Sequence, residues 1–419
     1  MKKLILAALA AVIILPLAAQ ERRTEIYSDI EKSAGLLYPY PGPQSVQTPA
    51  PKGYKPFYIS HFGRHGSRWH TRNYIYTRPV AALSGADSAG TLTPLGKDVL
   101  AKMRVLAADA YKRQGELTPL GFRQHREIAT RMYKSFPKVF AKGRSVTAVA
   151  TGSPRVELSM FSFCSTLRSL SPGLEITMDA EGRYNSYLKG SSPEAEAYKK
   201  KGAWNASKHA LEERWTRPER LMGTLFTDKD YVAAHINAAE LYEDLFNAAS
   251  IALDTQPDVR LHDIFTKEEL YDLWQKGNYT YYMIKGPNPA AGDSVLSASR
   301  ALIADIISCA DRAISDGGTA ADLRFSHDSY LAPLATCLRI DGCRTAETDP
   351  DRIADAWANY KVTPMAGNIQ FVFYRNGKDD VIVKIMLNEN EVGLPLETAC
   401  FPYYNWADVR QFYADLYSL

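Results

Sequence analysis

Apolar runs separated by polar turns predict alternating strands and helices in the first part of the chain. The apolar run 57–62 and the β-branched run 146–150 are typical of buried strands. Apolar residues at helical spacing predict helices over 95–113 and 122–136, and a third helix is predicted over 154–169. This alternation indicates a layered α/β fold.

A segment of different composition follows, and the alternating pattern then returns. From about residue 182 to 286, charged and aromatic residues mix and strand-like runs are missing. We predict the later elements as helices 231–249, 267–275 and 294–314, strand 323–326, a helix from about Tyr330, and strands 369–374 and 381–387. Asn376-Gly377 between the last two strands predicts a hairpin.

These elements predict a Rossmann-like three-layer core with a largely parallel central sheet and an inserted, mostly helical cap domain. We place the core at residues 21–180 and 292–419 and the cap at residues 181–291. Ligands of such folds bind outside the carboxyl ends of the strands.

Two stretches are predicted to lack regular structure. Residues 21–56 contain a series of prolines beginning at Pro39, and we interpret them as an extended arm, not a helix. A polar loop is predicted from about residue 69 to about Gly90.

The N-terminus has the layout of a secretory signal peptide at residues 1–20. Lys2 and Lys3 precede an apolar run from Leu4 to Leu17, and small residues follow it. The run is too short and too close to the start to favour a membrane span, although a retained N-terminal anchor stays the alternative. We therefore expect an exported protein, periplasmic or secreted, without a stable membrane span.

Charge and cysteine content narrow the function classes. The formal charge is +3, and removal of Lys2 and Lys3 lowers it to +1, so nothing favours a nucleic-acid partner. The five cysteines lack metal-ligand spacing. Cys337 and Cys343 are near enough to close a small loop, although buried free thiols are an equal alternative.

The pentad Arg64-His65-Gly66-Ser67-Arg68 stands at the end of the first strand and carries the clearest chemistry. Each arginine offers a planar, permanently charged fork that matches phosphate oxygens. A neutral imidazole between such groups can attack phosphorus and carry the phosphoryl group.

The pentad resembles the signature of the histidine phosphatase superfamily, and the rest of the chain resembles its second branch, the histidine acid phosphatases, phytases and multiple inositol polyphosphate phosphatases. Four further stretches resemble segments of that branch in the expected order: 115–121, 150–159, 326–328 and 387–392. The resemblance spans about residues 57–395.

The resemblance implies a role for each matching residue. Arg64, Arg68 and Arg155 would bind phosphate oxygens, and His65 would become a phosphohistidine. His327 would support the same oxygens, and Asp328 would act as acid and then base. No metal or cofactor is implied, since cationic side chains supply the charge.

Other interpretations of these residues stay open. Arg155 could be a surface helix residue, and Asp328 could cap the helix that follows it. His61 and His125 are interpreted as structural.

Two departures from the family bear on the substrate. His70 stands where many relatives have proline, and Thr71-Arg72 occupy positions that contact further substrate phosphates in phytase-like relatives. Arg72 could equally be a surface charge. The acid falls on Asp328, as in acid phosphatases and phytases, whereas inositol polyphosphate phosphatases typically carry His-Ala-Glu.

The sequence thus predicts an exported histidine acid phosphatase acting on phosphomonoesters, with inositol polyphosphates as the favoured substrates. Sugar-phosphate or broad-range hydrolysis by the same mechanism is the alternative enzyme. A phosphate-ligand binding protein is the non-enzymatic alternative, but binding alone would not need His65 and Asp328.

Overall fold

The strands form one sheet, and their order sets the position of the site. The computed structural model describes residues 21–189, 192–292, 294–377 and 380–418. The strands described are β1 (Lys55–Arg64), β2 (Ser145–Ala150), β3 (Glu175–Asp179), β4 (Thr319–Ser326), β5 (Asn368–Arg375), β6 (Val381–Leu387), β7 (Asn390–Glu391) and β8 (Tyr403–Asn405).

The sheet is partly parallel and partly antiparallel. Its order is β3-β2-β4-β1-β5-β6-β7, with β8 paired to β6. The four strands β3, β2, β4 and β1 are parallel, and β5 to β8 add antiparallel strands on one side. β5 and β6 pair as the predicted hairpin. The parallel half holds the strands that carry the site motifs.

Helices occupy much of the rest of the chain. Those described are α1 (residues 21–28), α2 (Tyr74–Ser88), α3 (Pro94–Asp109), α4 (Pro119–Ser135), α5 (Pro154–Leu170), α6 (Asn185–Leu188), α7 (Pro193–Lys201), α8 (Trp204–Trp215), α9 (Glu219–Leu225), α10 (Lys229–His235), α11 (Ala238–Ala252), α12 (Lys267–Lys285), α13 (Ser297–Asp316), α14 (Asp328–Cys337), α15 (Ile353–Ala356), α16 (Asn359–Val362) and α17 (Trp406–Tyr417). Short 3-10 turns occur at Ile30–Leu37, Gly182–Tyr184, His262–Ile264 and Pro289–Ala291.

The sheet is buried on both faces, as the alternation of side chains along β1 shows. Tyr58 and Phe62 pack into a core with residues of α13, α14 and α17. Ile59 points to the opposite core, which α4 and α5 cover. The predicted α/β class is therefore confirmed, although only part of the sheet is parallel.

A third apolar cluster is mostly helical and joins distant parts of the chain. Leu83 of α2 and Met103 of α3 pack with Leu221 of α9, Leu245 of α11 and Leu273 of α12. Two helices from between β1 and β2 and three helices from between β3 and β4 thus pack into one cluster. The predicted domain boundaries stay a prediction.

The prediction of a non-helical arm over residues 21–56 is wrong for its first part. Residues 21–28 form α1, and Ile30–Leu37 form a 3-10 turn. The prolines that suggested an extended arm begin only at Pro39. Upstream, Ile26 is wholly buried against Tyr271 and Trp274, and this packing favours a helix. The predicted signal peptide lies outside the described residues.

The polar loop predicted up to Gly90 is also wrong, because α2 fills most of it. Polar residues and Pro79, which lacks a backbone donor, hide the helical pattern. Ile75, Tyr76 and Leu83 nevertheless bury a stripe in the helical cluster, and tertiary packing decides the structure.

Two further findings concern cysteines and membranes. All five cysteines lie in the described part of the chain and are free; four are buried and Cys400 is exposed. Within the described ranges, no helix has the length and apolar character needed to cross a membrane.

Candidate active site

Three neighbouring parallel strands deliver the predicted residues to one edge of the sheet. The pentad begins at the last residue of β1, Arg155 lies in the first turn of α5 after β2, and His327-Asp328 follow β4. Because β2, β4 and β1 are adjacent and parallel, their carboxyl ends meet. The structure thus brings together Arg64, His65, Arg68, Arg155, His327 and Asp328.

The pentad backbone is held by the strand ends around it. His65 donates its N–H to the Ser326 carbonyl at 3.0 Å, and its own carbonyl accepts from Ala366 at 3.0 Å. A Cβ on Gly66 would lie 2.6 Å from the Gly121 carbonyl oxygen, so only glycine fits there. These contacts fix the direction of the His65 side chain.

The His65 ring is arranged as a neutral nucleophile. Its Nδ1 lies 2.9 Å from the Gly66 carbonyl, which can only accept, so Nδ1 carries the proton and Nε2 keeps its lone pair. The side chain is buried, and burial, with the charges of Arg64 and Arg68, lowers its pKa well below the usual value. Burial and these charges therefore favour the uncharged form of the ring.

Arg64, which is buried, and Arg68, which is half-buried, are cations beside this ring. Arg64 is fixed by its Nη1, which donates to the carbonyls of Leu36 at 2.8 Å and Thr363 at 2.5 Å. Burial and the neighbouring Arg64 lower the pKa of Arg68 to about 10, which still leaves it charged. The Arg68 side chain therefore keeps its charge at acid and neutral pH.

Arg155 reaches the site from the other side and contacts His327. Its Nη2 lies 3.4 Å from His327 Nδ1. His327 Nε2 lies 3.3 Å from the Thr151 hydroxyl, and burial followed by the charge of Arg155 lowers the histidine pKa to about 4. The interpretation of Arg155 as a mere surface residue does not fit this contact.

Asp328 is held by two neighbours. Tyr281 donates its hydroxyl to Asp328 Oδ2 at 2.7 Å, and Arg64 Nε lies 3.5 Å from Oδ1. Burial favours the protonated acid, but Arg64 and the Tyr281 hydrogen bond outweigh it and lower the pKa. No side-chain cap is present at the start of α14, so Asp328 is not used as a helix cap.

Thr71 and Arg72 lie further out, on the rim of a pocket of about 670 Å³ that also includes Arg64, Arg68 and Asp328. Both are exposed, and Arg72 Nη1 donates to the Tyr74 hydroxyl at 2.6 Å. They share the pocket with the inner residues but do not contact them directly.

The outer wall of the pocket, which includes Arg72, carries both signs of charge. Arg78 donates to Asp244 at 2.7 and 2.8 Å and to Glu240. Glu243, which pairs with Lys276, also lines the pocket. Four arginines and four carboxylates line it in all, so its wall is close to electrically balanced.

The sequence did not single out several residues that support the site. Thr151 and Ser159, whose Oγ accepts the Gly66 N–H at 3.1 Å, lie inside a stretch that resembles the family. Tyr281 and Asp254 come from the helical segment and carry no motif, so only their positions in the fold identify them. His61 and His125 are buried against Phe325 and serve no site contact.

The described residues contain no group of three or more His, Cys, Asp or Glu side chains placed to hold a metal ion. The contacts around His65 come from arginines, histidines and backbone instead.

Comparison with protein families places this site in a known group. The model of the histidine phosphatase superfamily (branch 2) matches residues 64–388, more than half of the chain. The chain belongs to this family, as its motifs predicted. Comparison with curated protein sequences gave no significant match.

Solved structures share the fold at low identity. The multiple inositol polyphosphate phosphatase of Bifidobacterium longum in complex with phosphate is 20% identical, with a TM-score of 0.76 over 91% of this chain and 97% of that one. Its complex with inositol hexasulfate gives 19% and 0.75 over the same shares. The phytase of D. castellii is 14% identical, with a TM-score of 0.70 over 92% of this chain and 85% of that one.

Proposed function

We propose that this protein hydrolyses phosphomonoesters through a phosphohistidine intermediate on His65. The observation that carries the proposal is the His65 ring, neutral, with Nδ1 tied to the Gly66 carbonyl and Nε2 free among three arginines. A binding protein would need the arginines, but it would not need this arrangement of the ring.

In the first step, the arginines hold the non-bridging oxygens of the phosphate and offset their charge in the transition state. His65 Nε2 attacks phosphorus, the bond from phosphorus to the ester oxygen breaks, and Asp328 gives its proton to the leaving oxygen. In the free site the pKa of Asp328 is lowered, so it must gain a proton as substrate binds. The negative charge of the phosphate raises that pKa.

In the second step, Asp328, now a carboxylate, takes a proton from water as the water attacks phosphorus. The bond between phosphorus and Nε2 breaks, and inorganic phosphate leaves with His65 neutral again. Tyr281 keeps the Asp328 carboxyl directed towards the reacting oxygen in both steps.

Inositol polyphosphates are the substrate class that we propose. The similar fold of a B. longum enzyme named for these substrates supports this choice, together with the volume of about 670 Å³ beside Arg64 and Arg68. Thr71 and Arg72 on the rim are our candidates for contact with a second phosphate.

One observation favours a second candidate, hydrolysis of sugar phosphates or a broad range of monophosphates. Glu240, Glu243 and Asp244 balance the arginines of the pocket wall. A substrate with one phosphate and many hydroxyl groups would suit such a wall better than a densely charged one.

Phosphate release from inositol hexakisphosphate and from glucose 1-phosphate, measured side by side in excess chelator near pH 5, tests both candidates. We expect preference for the inositol ester. Activity on glucose 1-phosphate alone would keep the mechanism and move the substrate to the second candidate, and no activity on either would favour a binding protein.

We also propose that the protein is exported, because of the N-terminal pattern at residues 1–20. N-terminal sequencing of the protein from its native source tests this. A mature chain that begins near Glu21 is the expected result, and a retained Met1 would contradict it.

A further inference from the structure

A buried group of three polar side chains ties the pentad to two helical elements. Ser67 Oγ donates to Asp254 Oδ1 at 2.5 Å, and Gln124 Nε2 donates to the same hydroxyl at 2.8 Å. Gln124 Oε1 in turn accepts the Ser67 N–H at 2.8 Å. Gln124 lies in α4 and Asp254 lies just after α11, so the loop is held from two directions.

Asp254 is a carboxyl group that the catalytic steps above do not use. It is 0% exposed, and its Oδ2 has no hydrogen-bond partner in the described part of the chain. Burial raises its pKa to about 7, although the Ser67 hydrogen bond and the positive charges of Arg68 and Arg64 act in the opposite direction. The cations that influence it are thus two of the arginines that we assign to phosphate.

The other titratable groups around Asp254 have pKa values that are shifted away from its own. Burial raises the pKa of Tyr76, which faces it from α2, to about 12, and burial lowers that of Arg68 to about 10. The pKa of His65 is well below its usual value, and that of His327 is about 4. Asp254 is therefore the carboxyl of this cluster whose pKa lies nearest neutral pH in the free site, whereas the pKa of Asp328 is lowered there and rises only when an anion binds.

We propose that Asp254 is a positioning residue that fixes the Ser67–Arg68 loop and, through its charge, sets the pH range in which the site holds an anion. When Asp254 is neutral, the charges of Arg64 and Arg68 act fully on the anion. When it is ionised, it offsets part of them and weakens binding. The inference rests on the proposed function only in taking these arginines as the anion site.

The test is the affinity for sulfate, measured by calorimetry from about pH 5 to about pH 8. Sulfate stays a dianion over this range, whereas phosphate changes charge. For the wild type we expect affinity to fall about tenfold as the pH rises through the transition, the order that one unit charge produces across partly buried protein. Asp254→Asn should lose this fall and stay near the acid value, since its amide oxygen still accepts from Ser67.

Asp355→Asn is the matched control. Asp355 is a half-buried carboxyl whose pKa burial raises to about 6, and its charged neighbours Arg22 and Arg352 do not line the pocket. This variant should keep the wild-type pH dependence of sulfate binding.

Ser67→Ala provides a second, independent variant. It removes a hydrogen bond that stabilises the Asp254 carboxylate, so the transition in sulfate affinity should move to higher pH. It also decides the question if Asp254→Asn does not fold.

Several results would overturn the proposal: parallel curves for Asp254→Asn and wild type, an unmoved transition in Ser67→Ala, or no sulfate binding by the wild type at pH 5. Failure of the proposed function would be seen differently, as absent ester hydrolysis while sulfate binding keeps its pH dependence.

Discussion

The inner site and the outer wall of the pocket use arginine in different ways. In the inner site, the Nε atoms of Arg64, Arg68 and Arg155 are buried and have no hydrogen-bond partner among the described residues. In the outer wall, Arg72 donates to Tyr74, and Arg78 is paired with two carboxylates. The inner arginines thus keep their Nε donors without a hydrogen bond, whereas Arg78 of the wall is paired with carboxylates.

This difference separates two functions of positive charge. A buried donor without a partner costs about 1–3 kcal/mol, so the inner arginines stand ready for an anion that satisfies them. Arg78 of the wall is already paired with Asp244 and Glu240, so its net attraction for a further anion is small. We therefore expect phosphate binding and chemistry to depend on the inner site, and substrate choice to depend weakly on the wall.

The largest effect should come from the centre of the inner site. His65→Ala removes the nucleophile, and we expect turnover of any phosphomonoester to fall at least about 10³-fold. Sulfate affinity should change little, because the arginines remain. His209→Ala is the control, since that side chain is 81% exposed and outside the site, and it should match the wild type. Residual turnover above a few per cent would remove His65 as the nucleophile.

The next largest effect should come from removing one arginine of the inner site. Arg155→Ala should lower kcat/KM about 10²- to 10³-fold, the usual loss for one transition-state donor. Arg168→Ala provides a matched control in the same helix, because Arg168 is exposed at the far end of α5. Equal losses in both variants would mean that the helix, not the Arg155 charge, was disturbed.

The sequence could predict that the residues of the inner site converge, because each of them follows the end of a strand. A strand run followed by Arg64–Arg68, and His327-Asp328 after another strand, can be recognised one segment at a time. The strand order β2-β4-β1 then places the ends of those segments next to one another. Short-range patterns therefore sufficed for these residues.

The ion pairs of the wall were not predicted, because Arg78 and its carboxylate partners meet only through tertiary packing. Tyr74 and Arg78 lie in α2, a helix that the prolines and polar residues of the sequence hid. The carboxylate partners of Arg78, Glu240 and Asp244, lie about 160 residues further on, in α11. No local pattern encodes such a pairing, and the same holds for Tyr281 and Asp254.

A smaller effect is expected when Asp328 loses its hydrogen bond from Tyr281. Tyr281→Phe removes the hydrogen bond to Asp328 but keeps the ring, so the pKa of Asp328 should rise. The acid form then persists to higher pH, and the alkaline limb of the kcat profile for an alkyl phosphate should move upward. We expect kcat/KM near pH 5 to fall about 3- to 10-fold, because the Asp328 carboxyl is held less firmly without this hydrogen bond.

Tyr282→Phe is a control on the same helix, since the Tyr282 hydroxyl contacts Glu347 and not Asp328. It should keep the wild-type pH profile. If the Tyr281→Phe profile keeps its limb as well, Asp328 does not act as the acid in the way proposed.

The smallest effect is expected at the outer wall. Arg72 is exposed and already bonded to Tyr74, so Arg72→Ala should change kcat/KM for glucose 1-phosphate by no more than about threefold. The loss for inositol hexakisphosphate should be larger if Arg72 turns from Tyr74 to a second phosphate. The ratio of the two kcat/KM values measures this directly, with Arg104→Ala, an exposed arginine of α3 outside the pocket, as the control. Parallel losses for both substrates would make Arg72 a surface charge, and the selectivity of the enzyme would then rest on the inner site alone.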